Sequence, residues 1–119
     1  MATEATVDTI SELVREGHVL IDFWGPDCAP CMAMMPAVEA LGEKYASQVT
    51  LIKVKAPDNR QVCRDMRVAG LPTYITLRDG GEVERVTGNG ATIDDIEAAI
   101  ERLLAGAPVT GLPVPEHLR

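Results

Sequence analysis

The chain has 119 residues, 46% of them hydrophobic and 3% aromatic, with a formal net charge of −7. That bounds one domain, with enough aliphatic side chains to fill a core of its own. The negative charge argues against the phosphates of a nucleic acid or an anionic membrane surface as partner. Three cysteines, an odd number, do not make a secreted disulfide scaffold.

No apolar run follows a basic N-terminal stretch, so no signal peptide is expected, and no apolar stretch is long enough to span a bilayer. A reducing, cytoplasmic setting fits best.

Thr6 reads as a helix N-cap. Val7, Ile10, Leu13 and Val14 then recur at helical spacing, and Gly17 ends the run. His18 to Trp24 is a strand by composition, near-continuously apolar and so buried on both faces. Gly25-Pro26 breaks it. A helix is expected from about Cys28 to Ala46, with Met34, Met35, Val38, Leu41 and Tyr45 turned inward and Pro36 as a kink. Val49 to Lys55 is the next strand, and strand–helix–strand order predicts a parallel crossover. Asp58 with Gln61 has the form of a capping box for a short helix to about Met66.

Thr73 to Arg78 and Glu82 to Thr87, joined by Asp79-Gly80-Gly81, read as a hairpin. Thr92 with Asp95 caps a last helix whose apolar face is Ile93, Ile96, Ile100, Leu103 and Leu104. Residues 1–104 therefore form the domain. Residues 105–119, rich in Pro and Gly, form a tail, extended or disordered. The fold class is α/β, a mixed central β-sheet flanked by helices on both faces.

Cys28 and Cys31 stand where strand turns into helix. Residues three apart share a helix face, so the two sulfurs can meet. Cys28 falls at the helix N-terminus, where free N–H groups and the helix dipole stabilise a thiolate, the attacking species in disulfide exchange. Cys28 is thus the candidate nucleophile and Cys31, one turn further in, the resolving thiol. Pro30 suits the first helical turn because it has no N–H to leave unsatisfied. A bare C-x-x-C also serves half of a zinc site or plain packing. Structural zinc needs four ligands, and Cys63, His18 and His117 are the remaining candidates.

The run Ile21-Asp22-Phe23-Trp24-Gly25-Pro26-Asp27-Cys28-Ala29-Pro30-Cys31 resembles the strand and active-site loop of the thioredoxin family. Pro36 matches its helix-kinking proline, Gly70-Leu71-Pro72-Thr73 its cis-proline loop, and Gly88 its substrate-groove glycine. The likeness runs from about Thr6 to Leu104 with family spacing. It implies a thioredoxin fold and reduction of protein disulfides through a Cys28/Cys31 dithiol by way of a mixed disulfide. It implies no cofactor and no metal in the chain itself, with a flavoprotein thioredoxin reductase as electron donor.

Asp22 then becomes a proton acceptor near Cys31, its carboxyl raised by desolvation, and Lys53 its partner. Trp24, Asp27, Ala29, Pro30, Leu71, Pro72 and Gly88 line the substrate face, with Leu71's backbone placed to pair with an extended segment.

Departures point to a particular partner. Asp27 replaces the family's usual tryptophan, which disfavours the neighbouring thiolate and acidic targets. Ala29 replaces the usual glycine. Gly88-Asn89-Gly90 is one residue longer than usual, and the first strand is abbreviated. Cys63 reads as a small buried apolar residue, and Met32, Met34 and Met35 as packing rather than a soft copper site. One thiol pair argues for a monomer. The alternatives are a dedicated redox partner or redox chaperone of one protein, or a redox-silent binding module on the same scaffold.

Overall fold

The computed structural model describes residues 3–5, 10–88 and 90–111. A five-stranded mixed sheet has the order β1-β3-β2-β4-β5. Its strands are β1 Thr3–Ala5, β2 His18–Trp24, β3 Thr50–Lys55, β4 Thr73–Arg78 and β5 Gly81–Thr87. The helices are α1 Ile10–Val14, α2 Ala29–Lys44, α3 Arg60–Asp65 and α4 Ile93–Leu104, with a 3-10 turn at Ala56–Asp58. The expected N-cap Thr6, with Val7 and Asn89, lies outside the described residues. The abbreviated first strand is the three-residue β1, paired parallel to β3.

Alternation along β2 splits the core in two. Val19, Ile21 and Phe23 pack with Ile10, Val14, Ile52 and Val62 on the α1/α3 face. Leu20 joins Val38, Leu41, Leu51, Ile96, Ile100 and Leu103 on the α2/α4 face. Both faces are covered, which is why β2 reads as one apolar run. Asp22 and Trp24 alternate with Phe23 and so point to the α2/α4 side.

Helix α2 presses close to the sheet at Gly42. A Cβ there would lie 2.6 Å from Leu51 Cδ2, so the position requires glycine or a shifted Leu51. Pro36 sits inside α2 on its exposed side, where its missing N–H leaves one helical carbonyl undonated at little cost.

Asp79 and Gly80 turn the hairpin with φ of 49° and 83°. Two positive φ values suit the tight turn that matches strand twist. Gly17 N–H donates to the Asp79 carboxylate at 2.7 Å and Asp79 N–H to Gly17 C=O at 2.9 Å, tying this turn to the one before β2. The Thr92–Asp95 capping box forms in both directions, each bond 3.1 Å.

The box expected from Asp58 and Gln61 does not form. Asn59 is the N-cap residue of α3 and its side chain donates instead to Lys55 C=O at 2.9 Å. Asp58 pairs with Lys55, and Gln61 donates to Asp65. The 3-10 turn before α3 moves the helix start one residue beyond Asp58, so the two side chains fall out of capping register.

Of the tail, the residues up to Gly111 are bonded back onto β5. Thr110 and Gly111 N–H both donate to Glu82 C=O at 3.1 Å, and Thr110 Oγ1 donates to Val83 C=O at 3.0 Å. Arg78 grips the carbonyls of Leu103 and Ala107, each at 2.6 Å. Residues 112–119, His117 among them, lie outside the described residues.

Candidate functional site

A turn closes the loop between β2 and α2, with Cys28 N–H donating to Gly25 C=O at 3.1 Å. Cys28 is the N-cap of α2, at φ −90° and ψ 100°. Its Sγ accepts from Cys31 N–H at 3.2 Å, the bond that a serine or aspartate oxygen makes at an ordinary cap. The sequence places Cys28 as the first helical residue; the structure moves it one position out, where a sulfur takes up an otherwise orphaned N–H. Ala29 and Pro30 open the helix.

Cys28 and Cys31 are joined as a disulfide, with Cα atoms 5.2 Å apart. Cys28 is partly exposed and Cys31 only 2% exposed. One sulfur is partly open to solvent and the other sits one turn in, on the buried side of α2.

The loop bearing Pro72 stands against this loop. The Leu71–Pro72 bond is cis, and a Cβ on Gly25 would lie 3.2 Å from Leu71 Cδ1. Pro72 is buried, and its carbonyl accepts from Gly88 N–H at 3.1 Å. That bond brings the end of β5 beside the cis-proline. Asp27 is exposed immediately before Cys28.

On β2, Asp22 is 2% exposed. It faces Lys53 across the parallel β2–β3 ladder and Tyr74 across the antiparallel β2–β4 ladder. Side chains in register share a sheet face, so the three form a polar row on the α2/α4 side. Lys53 Nζ is bonded to Glu39 of α2 at 2.9 Å. Burial pushes the Tyr74 phenol up, and the nearby Asp22 charge adds to that. The Tyr74 hydroxyl reaches Met34 Sδ at 3.8 Å.

Lys53 and Lys55 lie over the Trp24 ring, 5.6 and 5.9 Å from its centroid. Trp24 Nε1 is buried with no hydrogen-bond partner among the described residues.

Glu39 and Tyr74 do not stand out in the sequence. Tyr74 was within reach: alternation from Asp22 and an antiparallel β4 put it opposite. Glu39 carries no local signal, because its link to Lys53 depends on how α2 lies across β3.

Cys63 is half-buried on α3 against the α1/α3 core, and burial pushes its thiol up while the Arg64 charge pulls the other way. Among the described residues, no group of three His, Cys, Asp or Glu side chains is placed to hold a metal ion. No helix among them is long and apolar enough to cross a membrane.

A family model described as Thioredoxin matches residues 2–102. The chain is 38% identical over 90 residues to a thioredoxin of Peptoclostridium acidaminophilum, covering 76% of this chain and 82% of that one. It is 33% identical over 103 residues to a thioredoxin of Acetoanaerobium sticklandii, covering 85% and 98%. Among solved structures it is similar to a chain of a ferredoxin:thioredoxin reductase and thioredoxin f2 complex, with a TM-score of 0.78 and 31% identity over 87% of this chain and 94% of that one. Reduced Schistosoma mansoni thioredoxin pre-protein gives 0.74 and 26%, over 85% and 96%.

Proposed function

The chain belongs to the thioredoxin family and is a protein thiol–disulfide oxidoreductase; from that premise we propose that it reduces protein disulfides by a mixed-disulfide route through Cys28 and Cys31. In the reduced protein the Cys28 thiolate attacks one sulfur of a substrate disulfide. A Cys28–substrate disulfide forms, and the other substrate sulfur leaves as thiolate and takes a proton. Cys31, deprotonated, then attacks Cys28 Sγ. The Cys28–Cys31 disulfide closes, and the second substrate thiolate departs. Two electrons have passed from the dithiol to the substrate.

One observation carries this reading: Cys28 Sγ, at the N-cap of a 16-residue helix, accepts the Cys31 N–H. That donor and the helix dipole favour the negative sulfur. The difference in exposure supports the order of events, since the outer sulfur meets substrate first.

Asp22 is the proton acceptor for Cys31, and Lys53, held by Glu39, fixes the electrostatics of that pocket. Leu71, Pro72 and Gly88 receive the substrate segment, beside Trp24, Asp27, Ala29 and Pro30. A reductase of the flavoprotein kind recharges the disulfide in the cytoplasm. A thioredoxin f2 crystallised with a reductase supports a reductase as the kind of partner.

The test is a trap. Cys31→Ser, reduced and mixed with a peptide disulfide, should accumulate a covalent adduct on Cys28, read by intact mass. An adduct on Cys63, or none, refutes the route.

A further inference from the structure

The chain is strongly acidic, yet one face beside the cis-proline loop is basic. Arg60 and Arg64, at i and i+4, share one face of α3, and Arg67 follows directly after its C-cap Met66. All three are exposed. Arg64 donates to the neutral Gln61 at 2.8 Å, and among the described residues the guanidinium groups of Arg60 and Arg67 make no hydrogen bond or ion pair.

The acids near them are already engaged. Asp58 pairs with Lys55, Asp65 accepts a hydrogen bond from Gln61, and Glu82 is held in two bonds by Arg85. Gln61 is neutral and leaves the Asp65 charge in place, so three arginines against one carboxylate leave the face net positive.

Two clefts meet at Gly70-Leu71. One, of about 330 Å³, has Arg60 and Arg64 in its wall. The other, of about 320 Å³, runs from Arg67 and Arg85 to Thr87 and Gly88. Leu71 lines both, so the two clefts and their arginines flank the residue before the cis-proline.

Arg67 is also held there. Its φ is 58°, a helix-ending conformation that favours glycine. Arg85 bonds the carbonyls of Met66 and Arg67 at 2.9 Å each and fixes that conformation. The guanidinium of Arg85 is spent on this and on Glu82; the guanidinium of Arg67 is not.

We propose that the protein partner presents an acidic segment, flanking its redox cysteine, to Arg60, Arg64 and Arg67. This rests on the disulfide-exchange reading above and adds the substrate's chemistry to it. Asp27 modifies the picture at one point only. It sits on the active-site loop, whereas the arginines sit on α3 and the turn after it, so the partner is non-acidic next to its cysteine and acidic further along. Complementary charge of this kind raises the rate of encounter more than the strength of the final contact, and it is screened by salt.

The experiment uses the full chain, reduced, and two peptide disulfides alike except for Asp/Glu or Asn/Gln flanks. Second-order oxidation rates are followed by Trp24 fluorescence. The acidic peptide should react about tenfold faster in about 0.01 M salt. The ratio should approach one in about 1 M salt, where the Debye length falls from about 30 to about 3 Å. Arg60→Glu, Arg64→Glu and Arg67→Glu together should invert the preference, an outcome general damage does not produce. Arg67→Gly, which suits the positive φ, should lower the ratio with the fold intact.

Equal rates for the two peptides, or a preference that survives charge reversal, overturn the proposal. If neither peptide is reduced, the exchange reading has failed. Binding of the same peptides, labelled, to the disulfide form then decides the arginine face, and equal binding overturns it.

Discussion

Replacing Asp22 by asparagine should make the protein more stable and slower at once. The carboxylate is 2% exposed under α2, and an ionised group in such a site costs several kcal/mol of desolvation that neighbours offset only in part. Asparagine keeps the shape and hydrogen-bonding capacity without the charge. Lys53 is not left stranded, because Glu39 holds it at 2.9 Å and its side chain is 15% exposed. The expected gain is about 1–3 kcal/mol. With an unfolding entropy of about 2.1 cal/mol/K per residue, 119 residues give about 0.25 kcal/mol/K, so Tm should rise by about 4–12 °C.

On the proposed mechanism the same change removes the base for Cys31. Resolution of the mixed disulfide should slow about 10²-fold, the lower end for a positioned general base. The first attack by Cys28 should stay within about threefold, since its thiolate is stabilised by the Cys31 N–H and the helix dipole. Rapid acid quench in a single turnover, with adducts counted by mass, separates the two steps, and a thermal melt gives Tm. Identical quench traces with an unchanged or lower Tm would refute the reasoning.

Other outcomes test the frame around the site. Thr92→Ala removes one half of the α4 capping box and should cost about 1 kcal/mol, seen as a Tm lower by about 4 °C; Thr92→Asn should hold near the parent value. Gly42→Ala gains helix propensity but drives a methyl into Leu51 Cδ2, and overpacking should win by about 1 kcal/mol. Denaturant melts of Gly42→Ala alone and with Leu51→Ala should show strong coupling between the two positions; additivity would contradict the contact. In the disulfide form, Cys63 should react with iodoacetamide more slowly at pH 8 than a cysteine in an unstructured peptide. Its rate should reach half-maximum above the ordinary thiol range, because burial favours the neutral thiol. A half-maximum below that range would contradict the packing described for α3.

The mixed sheet and the helices flanking it were legible, because core strands are bounded by turn residues and α4 has a clear apolar stripe, but the strand order was not. His18–Trp24 and Thr73–Arg78 begin and end where composition and turn residues put them. Thr92 and Asp95 capped α4 as a local pattern can, since both bonds lie within one turn. Asp58 and Gln61 carried a similar pattern and failed, because the 3-10 turn of Ala56–Asp58 shifted the helix start. Local propensity does not contain that choice; it depends on how β3 hands the chain to α3.

The Cys28–Cys31 geometry followed from spacing, and the burial of Asp22 was foreshadowed by one acid in an apolar strand. What spacing could not give was long-range: Glu39 on Lys53, Arg85 on the carbonyls of Met66 and Arg67, and the strap of residues 107–111 along β5. Each is a contact between segments far apart in sequence, fixed by packing angles rather than by neighbours. The arginines of α3 were visible as letters, but their place beside Leu71 required the fold.

The central claim is that Cys28 and Cys31 form a working two-electron couple, and its reduction potential tests that most directly. The full chain is equilibrated in a dithiothreitol redox series and the dithiol fraction read from Trp24 fluorescence, with thiols counted by mass. The account predicts one reversible two-electron transition near the reducing end of the scale, about −270 mV. Asp27 beside Cys28 pushes in that direction, since a destabilised thiolate favours the disulfide. A value near the oxidising end, about −120 mV, or no reversible transition at all, would contradict it.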